Sequence, residues 1–598
     1  MENDSSAAGM GSVLGRLTRI FGDAFEAAGF ECDLGEVQPS NRPDLGEFQC
    51  NGPLAAAKRH KQNPAAIAEK VAAELAKGER FGTVSVSPPG FLNVTLDDRW
   101  LADAVTGQQG DGRLDGRGLV PRQRVLLDYG GANVAKPLHV GHLRAAVIGE
   151  SLKRIGRFLG HDVIGDVHLG DWGLQMGMLI HELSQRFPGL PYFDPSYRGE
   201  YPKEPPVTVE DLDQLYPIAS EKAKKDPEFA EAARQATMEL QSGRPGYRAL
   251  WQHLVDVSVR DLESDYRNLD VEFDLWLGES HTHEDAERMV DELAENGKAE
   301  RSQGALVIHV EEEGDASPLP PLMLRKSDGA FTYGTTDVAT ILQRVRDYSP
   351  EVVLYVVDAR QKTHFIQVFR AAKKVGIAPP ELSLEHIAFG TMNGLDGKPF
   401  RTRAGGTTKL KDLIAQINEY AMRRLGQLGE ASDLDEAEKV HVARMVGIAT
   451  LKFADLSNHR LKDYIFDPER FSSFEGKTGP YLLYSTVRAR AVLRKAEERG
   501  LAVGALKPPL EGDIRKVVLT LAELPDAILT TWNNRTPNIL CDYAYRLASS
   551  FNSFYHEHPI LREEDEAVRG SYLWLTRAVA TTLECVLDLL GMEVPARM

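Results

Sequence analysis

Strands and helices alternate in the hydrophobic pattern of the central part of the chain. The first strand is predicted at 124–129, Gly130 and Gly131 end it, and from His142 the apolar residues recur at helical spacing. This alternation is typical of a parallel sheet with helices on both faces, so we predict an α/β, Rossmann-like domain with a parallel sheet. Further strands are predicted at 163–168, 305–310, 322–326 and 387–392 and at the start of 352–365.

Different patterns precede and follow this domain. Helical segments and two strands around a Pro-Pro-Gly turn predict an α+β N-terminal domain, and a Gly-rich linker follows at 108–118. Beyond residue 411, helical periodicity without a convincing strand predicts an all-α C-terminal helical bundle. The expected domains are 1–110, 119–410 with an insertion at about 185–300, and 411–598.

Length, charge and cysteine content narrow the class of protein. A chain of 598 residues is too long for one core, and no run approaches the roughly 20 apolar residues of a membrane span. The N-terminus lacks a signal-type apolar core, so we expect a cytoplasmic protein with no membrane partner. Four cysteines without CxxC spacing argue against a zinc ribbon and a disulfide framework. The net charge of −18 argues against general nucleic-acid binding but permits local basic patches.

The loop after the first strand carries two histidines three residues apart, His139 and His142, with Gly141 between them. At a helix entrance this spacing places both imidazoles on one face, beside backbone N–H groups that have no partner within the helix. Such a terminus attracts phosphate, and Gly141 lets a flat group such as adenine approach closely. The alternative is a pair of surface or helix-capping histidines.

Polar residues also follow later strands, at the edge of the sheet where doubly wound folds bind their ligands. Asp171, Trp172 and Gln175 follow the second strand and are placed to line the same crevice as the histidines, although core packing is the alternative for Trp172. Gln361 and His364 lie at the polar end of the 352–365 run.

A candidate cation site and a candidate phosphate-closing loop lie in the same domain. Tyr333 and Asp337 are four residues apart at a predicted helix entrance, so they are neighbours on one face and can grip a cationic ligand. The Gly-rich loop 393–410 bears Lys398, Arg401 and Arg403 and could close over a triphosphate. A surface hydrogen bond and an exposed basic turn are the respective alternatives.

Two groups of residues are candidates for contact with a nucleic acid. Lys58, Arg59 and Lys61 form a basic cluster in the N-terminal domain, for which a solvated helix end is the alternative. In the helical domain, aromatic and arginine side chains interleave and offer stacking platforms for unpaired bases, although most of them are expected in the core. The helical-domain candidates are Tyr481, Arg488, Tyr545 and Arg546.

These motifs together resemble a known family. HVGH at 139–142 resembles the HIGH motif of class I aminoacyl-tRNA synthetases. The segments ANVAKPLHVGHLR, GDWGLQMG, YVVDARQKTHF, SFEGKTGPYLLYSTVRAR and LASSFNSFYHEHPIL are similar to the arginyl-tRNA synthetases in particular. DLGEFQCNGPLAAAK is similar to the added N-terminal domain of that family, which contacts the tRNA elbow. The resemblance spans nearly the whole chain in the expected order.

The resemblance implies an enzyme that ligates L-arginine to its cognate tRNA(Arg) through arginyl-adenylate and releases AMP and pyrophosphate. ATP with Mg²⁺ would enter as a substrate complex, with no prosthetic group and no resident metal, and a monomer is expected. His139, Gly141 and His142 would bind ATP, and the helical domain would read the anticodon. The implied arginine-binding residues are Asp128, Asn133, Gln361 and, at the guanidinium, Tyr333 and Asp337.

The second signature loop of the class, KMSKS, has no clean counterpart, because Thr402 or Ala404 stands where its second lysine is expected. Many arginyl-tRNA synthetases share this departure. In them a lysine just before the HIGH motif is thought to stand in, and Lys136 matches that position. The expected catalytic residues are therefore His139, His142, Lys136, Lys398, Arg401 and Arg403, and which of the basic residues stabilises the pyrophosphate stays open.

Other classes of protein use similar motifs. A small-molecule nucleotidyltransferase also places HxGH on a Rossmann-like sheet, but it would not need the long helical C-terminus. A zinc-dependent hydrolase could use His139, His142, His161 and His168 as ligands. A non-catalytic tRNA-binding paralogue is disfavoured by the intact pocket residues.

Overall fold

The N-terminal part of the chain folds as an α+β unit. The computed structural model describes residues 11–110, 114, 116–315, 317–327, 329–400, 408–427 and 434–598. The antiparallel sheet has the strand order β1-β2-β4-β3, and α1 buries Leu17, Phe21 and Phe25. The elements are α1 Val13–Ala27, β1 Val37–Pro39, β2 Phe48–Cys50, α2 Gly52–His60, α3 Pro64–Leu75, β3 Phe81–Ser87, β4 Phe91–Leu96 and α4 Asp98–Gln109.

The central part is built on a four-stranded parallel sheet of order β11-β10-β5-β6. Successive residues of β5 face opposite sides, so that Val125 and Leu127 join one hydrophobic core and Leu126 joins another. The elements are β5 Arg124–Asp128, α5 Val140–Phe158, β6 Asp162–Asp166, α6 Leu174–Arg186, α7 Val209–Lys225, α8 Pro227–Gln241, α9 Pro245–Asn268, α10 His283–Glu295, β7 Glu300–Ser302, β8 Ala305–Ile308, β9 Leu322–Arg325, α11 Tyr333–Tyr348, β10 Val352–Tyr355, α12 Lys362–Lys374, β11 Ser383–His386 and β12 Met392–Asn393. The predicted α/β class with a parallel sheet is confirmed.

Two details of the predicted sheet are wrong. The edge strand β11 lies at Ser383–His386 rather than at 387–392. In the buried apolar run after it, pairing is no longer continuous: Ile387 N–H donates to the carbonyl of Tyr355 at 2.8 Å, and Phe389 forms an isolated bridge with Asp358. Strands β8 and β9 do not join the parallel sheet, since they pair with β7 in a separate antiparallel sheet.

The insertion is helical and returns to the edge of the parallel sheet. Helices α7 to α10 span Val209 to Glu295 with no strand among the described residues there. After α9, the chain runs parallel to the continuation of β6, pairing Leu275 with Asp166 and Gly278 with Leu169. The end of the insertion therefore lies beside the carboxyl edge of the sheet.

The C-terminal part is a helical bundle, as predicted, except that β13 pairs with β12 of the central part. Its elements are α13 Leu410–Leu425, α14 Glu436–Leu456, β13 Tyr464–Ile465, α15 Pro468–Phe471, α16 Gly479–Glu498, α17 Gly512–Ala522, α18 Leu524–Asn534, α19 Asn538–Glu557 and α20 Glu566–Leu589. No helix in the described part of the chain has the length and hydropathy that a bilayer span requires.

A buried ion pair joins the bundle to the first turns of α5. Arg144 donates from Nε to Asp455 on α14 at 2.9 Å and from Nη1 to the carbonyl of Lys462 at 3.1 Å. The Arg144 and Asp455 side chains are 2% and 0% exposed. Since Arg144 lies two residues after His142, the bundle orients the helix that follows HVGH.

Asp455→Asn is expected to lower the free energy of unfolding by about 1.5–3 kcal/mol, because Arg144 would stay buried with a neutral acceptor. Denaturant unfolding monitored by tryptophan fluorescence measures the change. Asp435→Asn, at the exposed start of the same helix, controls for a general effect of charge. An unfolding midpoint equal to that of the parent would contradict the role of the pair.

Candidate active site

The HVGH segment forms the start of α5, just beyond the carboxyl end of β5. The Nδ1 atom of His139, the N-cap residue, accepts the backbone N–H of Gly141 at 3.0 Å. The Nδ1 atom of His142 accepts the backbone N–H of His139 at 3.0 Å, and the two ring centroids lie 3.9 Å apart. Because both Nδ1 atoms are acceptors, each neutral ring carries its proton on Nε2. Helix capping thus leaves an Nε2–H group on each ring, although the His142 ring also forms a hydrogen bond with the backbone of Gly131.

Burial keeps both imidazoles neutral. It lowers the pKa of His139, and so does the nearby Lys136 ammonium. Burial and the His139 ring together lower the pKa of His142 to about 3. A Cβ on Gly141 would lie 2.7 Å from Cε1 of His139, so this glycine allows the histidine to fold back over the helix start.

The neighbouring strands β6, β5 and β10 end with three residues that lie side by side, Asp166, Asp128 and Tyr355. Arg344 of α11, 2% exposed, donates from Nη2 to Asp128 at 2.6 Å and to Asp166 at 2.8 Å. Asp128, predicted to hold the amino acid, therefore already has one carboxylate oxygen paired with a buried arginine. Its role in substrate binding stays a prediction.

One group with metal-ligand spacing is found among the described residues, namely Asp128, Asp166 and His168. The Arg344 guanidinium already bonds both of its carboxylates. The histidines of the zinc hypothesis are not brought together, since His161 stacks on Trp532 at 4.9 Å and its Nδ1 accepts the backbone N–H of Gln123.

The predicted cation site lies at the start of α11. Asp337 bonds to Nε2 of His364 at 2.5 Å, and Tyr333 is 76% exposed at the mouth of the site. Burial raises the pKa of the Tyr333 hydroxyl, and so does the nearby Glu279 carboxyl. Burial, together with the Asp171 and Asp337 carboxylates, raises the pKa of Glu279 to about 7 despite the opposing effect of His168. Two carboxyl groups and a phenol are thus grouped at the start of α11, a set of acceptors that suits a cation.

Sequence reasoning missed Glu279, because it belongs to the insertion and lies in no recognised motif. The strand-like pairing of Leu275 and Gly278 with the continuation of β6 carries it to the carboxyl edge of the sheet. A glutamate directly after a Gly in a Trp-Leu-Gly turn was the only available signal.

Asn133 and Gln361 follow β5 and β10, the adjacent central strands. Asn133 pairs with Gly170 through the backbone and is half-buried, whereas Gln361 ends a short 3₁₀ turn and is exposed. Both thus lie beyond the carboxyl edge of the sheet, although their contact with an amino acid stays a prediction.

Among the residues of GDWGLQMG, Trp172 packs in a core, and the contacts of Asp171 and Gln175 with the protein support the fold, while their place in the crevice stays a prediction. Trp172 is 3% exposed in the core of the insertion. Both oxygens of the buried Asp171 accept from Ser280, through its backbone N–H and its hydroxyl. Gln175 donates to the carbonyl of Gly170 at 2.5 Å. The Asp171 contacts hold Ser280, a residue between Glu279 and the start of α10.

The predicted basic residues around the phosphate site are only partly described. Lys136 lies with its Nζ atom 4.7 Å from the centre of the Tyr216 ring. Lys398 is exposed in a hairpin in which Gly394 N–H donates to its carbonyl at 2.8 Å. Arg401 and Arg403 lie outside the described residues.

The predicted nucleic-acid contacts lie on two surfaces. In the N-terminal unit Lys58, Arg59 and Lys61 are exposed, although Arg59 forms a bidentate pair with Asp33 at 2.8 and 2.9 Å.

On the bundle, Arg488 donates to Asn552 at 2.6 Å and lies over the Tyr484 ring. Tyr481 accepts from Asn552 at 2.9 Å and packs near Tyr545, while Arg546 pairs with Glu523 at 2.6 Å. Other aromatic residues of this segment are in the core, namely Tyr543, Phe551 and Phe554.

Comparisons with known proteins place this site in a class. The catalytic-domain model of class I tRNA synthetases (R) matches residues 110–468, and the arginyl-tRNA synthetase N-terminal and DALR anticodon-binding models match 16–96 and 482–598. A parallel sheet with HVGH at the carboxyl end of β5 therefore defines a class I aminoacyl-tRNA synthetase, which is an enzyme.

Sequence relatives identify one family within this class, defined by its amino acid. Arginine–tRNA ligase of Agathobacter rectalis is 49% identical over 96% of this chain and 98% of its own, and that of Alkaliphilus oremlandii is 48% identical over 98% and 100%. The chain belongs to the arginine–tRNA ligase family, as the motif resemblance indicated, and a small-molecule nucleotidyltransferase is not favoured. The fold agrees with arginyl-tRNA synthetases from Plasmodium falciparum (TM-score 0.80, 24% identity, covering 99% and 100%) and Thermus thermophilus (TM-score 0.78, 24% identity, covering 98% and 100%).

Proposed function

We propose that the chain joins L-arginine to tRNA(Arg) in two steps, through arginyl-adenylate, with MgATP as the substrate complex. The observation that carries the proposal is a juxtaposition at one sheet edge. The Nε2–H donors of His139 and His142 follow β5, and the acidic site of Asp337 and Glu279 lies beyond the same edge.

In the first step a carboxylate oxygen of arginine attacks the α-phosphorus of ATP, and the bond to the bridging oxygen breaks to release pyrophosphate. The two Nε2–H donors and the N-terminus of α5 face the negative charge that develops on the phosphate. Lys136 adds a positive charge beside them. Since no enzyme nucleophile is needed, catalysis rests on positioning and electrostatic stabilisation.

The acidic site selects the guanidinium group. A guanidinium offers a planar fork of donors, which Asp337, Glu279 and the Tyr333 hydroxyl can accept together. A lysine ammonium is a smaller point charge and would leave some of these acceptors unpaired. Leaving buried polar groups unpaired is how binding sites reject close analogues.

In the second step the 2′-hydroxyl of the terminal adenosine of the tRNA attacks the carbonyl carbon of arginyl-adenylate, and AMP leaves. The face of the bundle around Tyr481, Arg488 and Tyr545 offers rings and a guanidinium for anticodon bases. Lys58, Arg59 and Lys61 are proposed to approach the tRNA elbow. We infer a monomer acting in the cytoplasm, where translation uses charged tRNA.

ATP–pyrophosphate exchange tests the proposal. Exchange that depends on both arginine and tRNA(Arg), and that fails with lysine or citrulline, is the expected result. Exchange with no dependence on any amino acid would point to a small-molecule nucleotidyltransferase. Citrulline is the sharper control, because it keeps the shape of arginine and lacks its charge.

The pKa of Glu279 predicts a pH dependence of arginine binding. Below about pH 7 the free enzyme holds this carboxyl protonated, so a cation gains less from it. We therefore expect the KM for arginine to fall as the pH rises through about 7, measured by exchange at saturating ATP. In Glu279→Gln the KM should be higher and this pH dependence should disappear. A parent-like pH profile in that variant would remove Glu279 from the pocket.

A further inference from the structure

One face of the insertion helix α7 contacts two lysines of the catalytic domain. Asp213 Oδ2 pairs with Nζ of Lys409 at 2.6 Å. The Tyr216 ring lies 4.7 Å from Nζ of Lys136. Asp213 and Tyr216 are three residues apart, which places them on the same face of the helix.

Both lysines are tied to the HVGH segment. Lys136 lies three residues before His139 and is close enough to lower the pKa of both histidines. Lys409 lies at the end of loop 393–410, and its backbone forms a bridge with His139. Val140 N–H donates to the carbonyl of Thr408 at 3.1 Å, and Leu410 N–H donates to that of Leu138 at 2.9 Å.

The two contacts have different effects on the positive charges of the lysines. An aromatic ring restrains an ammonium through its π electrons without neutralising the charge, so Lys136 can still attract a phosphate. A carboxylate compensates the charge, so Lys409 serves as an anchor for the end of the loop. Tyr216 is partly buried and the Asp213 side chain is 16% exposed, so both are shielded from solvent.

We propose that Asp213 and Tyr216 are positioning residues for arginine activation: α7 holds Lys136 and the end of loop 393–410 against HVGH. The inference rests on the proposed function, in which Lys136 stabilises the phosphates of ATP. It assigns to the insertion a part in the chemical step, beyond any contact with tRNA. Neither residue touches the reacting atoms.

Arginine-dependent ATP–pyrophosphate exchange with bound tRNA tests the inference. Tyr216→Leu is expected to lower kcat about three- to tenfold with the KM for arginine unchanged, because the Lys136 ammonium becomes free to rotate. Tyr216→Phe keeps the ring and should restore most of the rate. Asp213→Asn should lower kcat by a similar factor, whereas Glu221→Gln, at an exposed ion pair on the same helix, should not.

A double-mutant comparison separates positioning from a general structural role. In a Lys136→Met background, Tyr216→Leu should cause no further loss of kcat. An equal loss in that background, an unchanged kcat in Tyr216→Leu, or full activity of Lys136→Met would each overturn the proposal. Absence of arginine-dependent exchange by the parent protein would instead refute the proposed function, so the two failures are distinguishable.

Discussion

Asp337→Ala is expected to raise the KM for arginine by about 100- to 1,000-fold, with the KM for ATP nearly unchanged. The carboxylate is the acceptor that His364 holds in place at 2.5 Å, and a bound guanidinium would bury both charges. Removing one partner of a desolvated charge pair leaves the other unpaired, which is the source of the large effect. Exchange kinetics at varied arginine and saturating ATP measure it.

A matched control lies on the same helix. Asp347→Ala removes an exposed carboxylate that pairs with Arg346 at 2.6 Å, and it should leave the KM for arginine unchanged. Asp337→Asn keeps the bond to His364 and loses the charge, so it should resemble the alanine variant. A parent-like KM in Asp337→Asn would refute charge recognition at this position.

His142→Ala is expected to lower kcat for arginine activation about 100- to 1,000-fold, as expected when one donor to a developing oxyanion is lost. The variant also loses the acceptor for the backbone N–H of His139, so the helix start is disturbed. Single-turnover measurement of adenylate formation isolates the chemical step.

His142→Asn distinguishes the two causes. An asparagine at this helix position can accept the His139 N–H but cannot reach the position of the Nε2 proton. We expect a folded enzyme whose activity stays close to that of the alanine variant. Activity near that of the parent would show that the Nε2–H donor is dispensable and that His142 acts only as a cap.

Much of the fold could be predicted because periodicity reports which faces are buried. The strand-loop-helix at HVGH followed from six apolar-rich residues, two glycines and a helical repeat, and the structure has β5 and α5 there. The wrong prediction of a strand at 387–392 has the same basis, because an apolar run reports burial and not hydrogen bonding between strands. Ile387 to Phe389 are as apolar as a strand and are buried, but the continuous ladder with β10 is formed by the half-polar β11 before them, and pairing after it is reduced to an isolated bridge.

The site was less predictable, because its contacts join distant segments. Arg344 lies deep in α11, and nothing in the sequence pattern distinguishes it from the other charged residues of the helix or indicates its contact with Asp128. Glu279 and Tyr216 come from the insertion, whose composition indicates helices but no ligand. Loop 393–410 could be proposed as a phosphate-closing loop from its glycines and basic residues. Which of these basic residues contacts the phosphates depends on their placement in three dimensions.

The ion pair between Arg144 and Asp455 complicates the interpretation of natural variants. A screen for loss of arginine charging would return substitutions at position 455 together with those at position 142, although Asp455 lies on a helix of the bundle more than 300 residues further along the chain. A classification by activity alone would then record a catalytic defect where the primary lesion is thermal inactivation. Charging assayed at two temperatures distinguishes the two, since only the instability alleles recover activity at the lower one.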